Sequence, residues 1–368
     1  MAGTEKHYFA EGNTALGPYH LYESAFQKTE RLVTLTGMPG TGKSVILRRI
    51  ADALLADGYE VELFHSPSDS SSLDALNIDA LKLGVVGSSA GRLALSGRPD
   101  TEVRTVDLNG AVRTDELTAS RDRLDILRVQ IQAAYGKAYY TFSQALRVHD
   151  EWERFYIESM LFDEANKVTE ELIESFFGER VLDKTGSARH LFLGAATPAG
   201  AVDFVPGITE GAKRRIFVKG RPGSGKSTML KKLAAAAAER GFDAEIFHCG
   251  FDPNSLDMVV FPEIGVAIFD STAPHEHDPS REGDEILDMY ERAMLPGTDE
   301  KYAGQVSGIR TRYKDTMSQA TAYLAEAKAL NDELQGIHAA AVDTGEVERL
   351  GDRLLAEIRD WTAAQGAR

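Results

Sequence analysis

The chain has 368 residues, with 41 basic and 57 acidic side chains, so its formal net charge at pH 7 is −16. A surface of that sign disfavours DNA, RNA and anionic membranes as partners, but it leaves room for nucleotides, which a few local groups can bind. The length suffices for two domains with separate cores.

The N-terminus and the single cysteine bear on where the protein works. The segment "MAGTEKHYFAEGN" lacks the apolar run of a signal peptide, and no stretch approaches 18 uninterrupted apolar residues. Cys249 is the only cysteine, so no intramolecular disulfide can form. We therefore expect a cytoplasmic protein with no membrane partner.

The chain contains an internal repeat. "TGMPGTGKS" (36–44) and "KGRPGSGKST" (219–228) align with an offset of 183, the difference between Gly220 and Gly37. The same offset pairs "VELFH" (61–65) with "AEIFH" (244–248), and "KHYFAEGNTALG" (6–17) resembles "RHLFLGAATPAG" (189–200). This extent predicts a tandem duplication, with a first domain over 1–185 and a second over 186–368.

Each half reads alike in chain order. An apolar run, "RLVTL" or "RRIFV", leads into a glycine-rich loop, and a helical pattern follows that ends at Gly58 or Gly241. A short strand comes next, and the second half adds "IGVAIFD" (264–270). The alternation predicts two α/β domains of the P-loop NTPase type, each with a parallel sheet.

Long helical stretches follow each core, over 116–178 and 284–360. Apolar residues recur at spacings of three and four, from Leu124 to Phe155 and from Ile309 to Ile337. We predict a helical hairpin that covers the sheet or packs on its partner helix. The alternative is a moving lid or an arm that mediates pseudo-dimer or oligomer contacts.

Both loops match the pattern G-x-x-x-x-G-K-[ST], which is specific for phosphate binding. Its glycines let backbone N–H groups turn toward phosphate oxygens, and the helix that follows adds its N-terminal amides. Lys43 or Lys226 would neutralise phosphate charge, and Ser44 or Ser227 would ligate Mg²⁺. The candidate residues for binding ATP or another nucleotide are Gly37, Gly40, Thr41, Gly42, Lys43 and Ser44 in the first half, and Gly220, Gly223, Ser224, Gly225, Lys226, Ser227 and Thr228 in the second.

The two loops differ in the residues expected for catalysis. Asp270 ends an apolar strand in the second half, where a carboxylate would hold Mg²⁺ together with Ser227. At the same offset the first half has Gly87, and it has Val45 where the second half has Thr228. We therefore expect the second site to be catalytic, through Lys226 and Asp270, and the first to bind nucleotide with little turnover.

Other polar residues follow the strands of the second half. Asp252 could orient or deprotonate an attacking hydroxyl or water, and His248, His275 and Arg281 could contact substrate or phosphoryl charge. For each of them, local hydrogen bonds that hold a loop are an equally good interpretation. His275, His277 and Asp278 are too loosely spaced to predict a transition-metal site.

The quoted segments carry a family resemblance. "GRPGSGKST", "HCGFDPNSLDMVVFPEIGVAIFDSTAPHEHDP" and "GNTALG", together with the duplication, resemble bacterial double P-loop proteins labelled as ATP-binding, ATPase or nucleotide-kinase-like. The resemblance implies a P-loop NTPase fold and ATP binding, and it implies no substrate. The chain departs from the pattern over 84–113, where "LGVVGSSAGRLALSGRPD" replaces the strand that ends in aspartate.

Three functions remain open at this stage. The first is an ATP-dependent NTPase with two unequal sites. The second is a kinase that transfers the γ-phosphate to an unknown small molecule, and the third is a scaffold regulated by nucleotide. Ser271 follows Asp270 at the position where many motor ATPases place a glutamate, which weighs against a motor.

Overall fold

The computed structural model of the protein describes residues 3–87 and 101–366. The segment 88–100, which belongs to the departing region 84–113, lies outside the described residues. Within them, no helix is both long and apolar enough to cross a lipid bilayer. The fold is α/β, with two six-stranded sheets and helices.

The first sheet has the strand order β1-β5-β6-β7-β4-β8. All neighbours are parallel except β6, which runs antiparallel to β5 and β7. The prediction of a purely parallel sheet is therefore wrong at β6, because the few residues on either side of this strand cannot form a parallel crossover. The strands are β1 (Glu5–Tyr8), β4 (Arg31–Thr36), β5 (Val61–Ser66), β6 (Asp69–Ile78), β7 (Leu83–Gly87) and β8 (Glu102–Asp107).

The second sheet repeats this topology. Its order, β9-β13-β14-β15-β12-β16, matches the first sheet strand for strand, and β14 is antiparallel as β6 is. Equal topology in both halves supports the predicted duplication. The strands are β9 (Ala188–Phe192), β12 (Arg214–Lys219), β13 (Ala244–His248), β14 (Leu256–Phe261), β15 (Val266–Asp270) and β16 (Asp284–Asp288); separate hairpins are β2 (Glu11–Thr14) with β3 (Gly17–His20), and β10 (Gly194–Thr197) with β11 (Gly200–Asp203).

The predicted helical stretches are found with one correction. Residues 284–288 form β16 instead of helix, because this segment pairs with β12 and its Asp284 forms a buried, two-point ion pair with Arg215. The helices are α1 (Tyr22–Ala25), α2 (Lys43–Ala56), α3 (Arg121–Ile157), α4 (Phe162–Phe177), α5 (Val205–Ile208), α6 (Lys226–Glu239), α7 (Met289–Ala293), α8 (Thr298–Ala340) and α9 (Thr344–Gly366).

Each sheet is completed by a helix from the other half of the sequence. The core of the first sheet contains Leu354 and Ile358 of α9, both buried, beside Leu47 and Leu54 of α2. The core of the second contains Phe177 of α4. The packing units therefore differ from 1–185 and 186–368: unit 1 comprises 1–10, 22–136 and 323–368, and unit 2 comprises 11–21 and 137–322.

The apolar stripes of the long helices pack on each other within these units. In unit 1, Leu124 and Leu127 of α3 form a buried cluster with Leu334 of α8. In unit 2, Tyr156 at the end of α3 packs with Val306 of α8. The stripes therefore serve helix packing, with the partner helix supplied by the other half of the chain.

The exchange of helices predicts that α9 stabilises the first sheet. Replacing Ile358 with alanine should lower the free energy of unfolding by about 2 to 5 kcal/mol, because a buried side chain is lost and a cavity remains. Asp360→Ala changes an exposed position of the same helix and should shift it by less than about 0.5 kcal/mol. Urea denaturation followed by circular dichroism measures both; equal effects would contradict this packing.

Candidate functional site

Two glycine-rich loops occupy the same place in the two sheets. The first loop (37–44) follows β4 and the second loop (220–227) follows β12, and each leads directly into a helix. Gly42 and Gly225 are the N-cap residues, in left-handed conformations with φ of 91° and 82°. The predicted strand before each loop and helix after it are confirmed.

The lysine of each loop folds back onto the loop's own backbone. Lys43 Nζ donates to the carbonyl oxygens of Gly37 and Met38, at 2.8 and 2.9 Å. Lys226 Nζ donates to Arg221 O at 3.0 Å and lies 3.6 Å from Asp270 Oδ2. Burial lowers the pKa of Lys43, and the nearby Asp74 carboxylate opposes this shift. Both ammonium groups are thus held inside their loops.

The hydroxyls beside each lysine have distinct partners. Ser44 Oγ accepts from Leu73 N at 2.9 Å, and Ser227 Oγ accepts from Leu256 N at 3.0 Å. A hydroxyl oxygen has two lone pairs, so each keeps acceptor capacity for a cation. Thr41 donates to Met38 O, whereas the buried hydroxyl of Ser224 has no partner among the described residues.

The carboxylates at the strand ends differ between the sites. Asp270 pairs in register with Val218 next to the second loop, and the equivalent partner of Leu35 beside the first loop is Gly87. Asp270 Oδ1 accepts from the amide and hydroxyl of Thr272, at 3.0 and 2.7 Å, while Oδ2 is the oxygen near Lys226. Gly87 has no side chain, so the first site lacks a carboxylate at this position.

The first turn of the following helix carries the other difference. Val45 is 69% exposed, and Thr228 is exposed at the same position after the second loop. The first loop therefore presents an apolar surface where the second presents a hydroxyl. Val45 and Thr228, which the offset of 183 aligns, are thus at the same position of the two helices.

A second pair of equivalent aspartates, Asp74 and Asp257, lies near the loops. The negative charge of Asp74 acts to raise the pKa of Lys43, and the counterpart of Asp74 in unit 2, Asp257, is buried. Burial raises the pKa of Asp257 to about 6, and the Asp270 carboxylate contributes to the rise. The repeated "SLD" at 72–74 and 255–257 pairs these two residues in the sequence at the offset of 183.

Sequence reasoning missed Asp107 and Asp288 as an equivalent pair. They end β8 and β16, in register with Thr36 and Lys219, which precede the loops. Their offset is 181 (288 minus 107), so the offset of 183 did not align them. Asp107 accepts from Thr36 Oγ1, and Asp288 caps α7. Both hold local structure beside the loops.

Asp252 and its counterpart Asp69 hold turns. Asp252 accepts from the Asn254 amide and the Ser255 hydroxyl, and Asp69 accepts from the amide and hydroxyl of Ser71. These contacts agree with the local interpretation of Asp252, whose carboxylate closes the turn between β13 and β14. Its predicted role as a catalytic residue stays a prediction.

Four of the histidines form two matched pairs. His7 Nδ1 and His65 Nε2 are 2.8 Å apart, and His190 Nδ1 and His248 Nε2 are also 2.8 Å apart. His65 Nδ1 lies 2.6 Å from Ser70 O, which can only accept, so this nitrogen carries the proton. His65 Nε2 is then the acceptor for His7. The pairs link parallel strands at matched positions of both sheets.

The polar residues after β15 are tied to hairpin β10–β11 and to nearby backbone. His275 and His277 both hydrogen-bond Asp203, at 3.1 and 2.9 Å. Although burial opposes its charged form, Asp203 holds the pKa of His275 above its ordinary value. Arg281 donates to three backbone carbonyl oxygens over 209–212, so it holds a loop.

A different set of side chains could reach one cation. Among the described residues, His149, Asp150 and Glu153 of α3 bring one donor atom each to within 4.8 Å of one another. Glu153 also contacts the second loop, because its Oε1 accepts from Gly223 N at 3.2 Å. Nothing in the sequence pattern pointed to this contact.

Helix backbone lies directly against both loops. A Cβ on Gly40 would lie 2.5 Å from the carbonyl oxygen of Gln335 in α8, and one on Gly223 would lie 2.6 Å from that of Glu153 in α3. His338 Nδ1 also lies 2.9 Å from Pro39 O. Packing alone therefore demands glycine at 40 and 223, independently of any phosphate.

Comparison with protein families, with curated proteins and with solved structures gave no match. The resemblance to double P-loop proteins thus remains a prediction from the quoted segments.

The close approach predicts the cost of a side chain at Gly223. Gly223→Ala should lower the free energy of unfolding by about 1 to 3 kcal/mol, because its φ of 76° and the Glu153 carbonyl both disfavour a Cβ. Gly304→Ala, in α8 with open space around it, should instead stabilise by up to about 1 kcal/mol. Thermal denaturation compares the two; a neutral Gly223→Ala would contradict the packing.

The His7–His65 pair predicts a pH dependence of stability. Burial lowers the pKa of His65 to about 4, below its ordinary value near 6.5. As the pH falls, His65 therefore becomes protonated in the unfolded chain before it does in the folded chain. The free energy of unfolding decreases by about 3 kcal/mol as the pH falls from about 6.5 to about 4. His65→Gln should flatten this slope in urea titrations. An unchanged slope would contradict the assignment.

Proposed function

We propose that this protein is an ATP-binding P-loop NTPase with two unequal nucleotide sites, a catalytic second loop and a first loop that binds nucleotide with little turnover. The proposal includes membership among bacterial double P-loop ATP-binding proteins and a cytoplasmic location. One observation carries it: Lys226, Ser227 and Asp270 converge at the second loop, whereas the first loop has Gly87 in place of the aspartate.

The donor set at the second loop fits Mg²⁺. This hard cation takes oxygen ligands, and Ser227 Oγ and the Asp270 carboxylate are such ligands at the carboxyl end of the sheet. When bound there, the ion neutralises charge that develops on phosphate oxygens. Ser227 and Asp270 would hold it, whereas the first loop has Ser44 with Gly87 at the position of the aspartate.

The remaining groups of the second loop bind and orient the phosphates. Lys226 lies between the loop backbone and Asp270, so its ammonium can move from these partners to β- and γ-phosphate oxygens. The left-handed glycines direct backbone N–H groups into the loop. A phosphate oxygen would also supply a partner for the buried Ser224 hydroxyl, which otherwise costs free energy.

A kinase is the second candidate, and Asp257 favours it. A carboxyl group with a pKa of about 6 can exchange a proton near neutral pH, as a base for a substrate hydroxyl must. Its charge interacts with those of Asp270, His275 and Lys226, so it belongs to the same site. An NTPase would transfer the γ-phosphoryl group to water, and a kinase would transfer it to a small molecule. A scaffold regulated by nucleotide would bind ATP and transfer the γ-phosphoryl group to neither acceptor.

Phosphate release from ATP and Mg²⁺ tests the proposal. Asp270→Asn should lower turnover on the order of 100-fold with nucleotide binding retained, because it removes charge that acts on the metal and the transferred group. Lys226→Ala should lose both binding at the second site and turnover. Lys43→Ala is the matched control and should lower the number of bound nucleotides from two to one with turnover retained.

The outcomes separate the alternatives. Equal loss of turnover in Lys43→Ala and Lys226→Ala would contradict the asymmetry. Release that starts only after a metabolite mixture is added indicates a kinase. Tight binding with no turnover in either condition indicates a scaffold, and no nucleotide binding by the wild-type protein would overturn the proposal.

A further inference from the structure

A carboxylate of the protein already accepts a hydrogen bond from one backbone amide of the second loop. Glu153 Oε1 accepts from the backbone N–H of Gly223 at 3.2 Å. In loops of this sequence pattern, such N–H groups are the donors that phosphate oxygens use. The carboxylate is an anion with the same kind of acceptor oxygen, so it and a phosphate compete for the same donor.

Several contacts hold Glu153 at this place. The Glu153 backbone lies against Gly223, and the Met160 methyl lies 2.4 Å from where a Cβ of Gly225 would be. Arg221 of the loop donates to both carboxylate oxygens of Asp299, whose Oδ1 also accepts from Tyr156 OH at 2.8 Å. The end of α3 and the turn that follows it are therefore fixed to the loop at Glu153, Tyr156 and Met160.

The first loop provides an internal comparison. The equivalent turns of the two long helices read "HDEWE" at 149–153 in α3 and "NDELQ" at 331–335 in α8. Gln335 therefore takes the position beside the first loop that Glu153 takes beside the second. Both residues bring their carbonyl oxygen equally close to a loop glycine, Gly40 or Gly223. The backbone arrangement is thus shared, and the difference is a neutral amide beside the first loop and a charged carboxylate beside the second.

We propose that Glu153 is a built-in competitor for phosphate at the second loop, which a nucleotide must displace, and that Gln335 leaves the first loop without such a competitor. The inference rests on the proposed nucleotide binding. A triphosphate in the loop would bring like charge within a few ångströms of Glu153, so the carboxylate and the nucleotide exclude each other. Occupancy of the second loop is then coupled to release of the α3 end.

A reciprocal exchange of the two residues tests the inference. In a Lys43→Ala background, which isolates the second loop, Glu153→Gln should tighten binding of a non-hydrolysable ATP analogue on the order of 10-fold. In a Lys226→Ala background, which isolates the first loop, Gln335→Glu should weaken binding by a similar factor. Isothermal titration calorimetry measures both, and each introduced residue already occurs at the equivalent turn.

Glu158→Gln is the matched control. Glu158 lies on the turn that follows α3 and forms an exposed ion pair with Arg154, so its loss removes one nearby negative charge without touching the loop. It should leave the affinity within about 2-fold. A Glu158 effect equal to that of Glu153 would overturn the inference, since net charge would then explain both.

The two proposals fail in different ways. If the Lys43→Ala protein binds the analogue and Glu153→Gln leaves that affinity unchanged or weakens it, the competitor role is overturned and nucleotide binding stands. If neither the wild-type protein nor the Glu153→Gln variant binds the analogue at the second loop, the proposed function of that loop is overturned as well.

Discussion

The contact between a helix backbone and the middle glycine of each loop is the constraint on which both sites depend. The carbonyl oxygens of Gln335 and Glu153 lie where a side chain on Gly40 or Gly223 would have to be. Each loop is therefore enclosed between the sheet that precedes it and a helix of the other sequence half. This contact fixes which side chains, Gln335 or Glu153, stand next to the loop amides.

The exchange of helices between halves explains why these contacts exist. Because α9 completes the core of the first sheet and α4 that of the second, the helices that precede them, α8 and α3, end beside the loops. His338 and Gln335 reach the first loop this way, and Glu153 and Met160 reach the second. The two sites can then differ through the strand beside each loop, as at Gly87 and Asp270, or through the helix beside it.

Sequence patterns predicted the local elements well because those follow from nearby residues. The loops and the helices that begin at Lys43 and Lys226 rest on short-range signals, and the repeat follows from direct comparison of the two halves. The antiparallel strands β6 and β14 pair with strands that neighbour them in the chain, but periodicity does not encode the direction of pairing. The strand at 284–288 depends on pairing with β12, a distant segment of the chain. The helix exchange and Glu153 were out of reach for the same reason: their partners lie far away in the chain.

In the proposed function, a nucleotide binds at the second loop and displaces the Glu153 carboxylate from the Gly223 amide. The most direct measurement is a crystal structure with a non-hydrolysable ATP analogue and Mg²⁺. We predict the γ-phosphate in the second loop, Mg²⁺ between Ser227 and Asp270, and the Glu153 carboxylate withdrawn from the Gly223 amide. A second loop that stays bonded to Glu153 while the analogue is bound there would contradict the competitor role, and an analogue bound away from both loops would contradict the account as a whole.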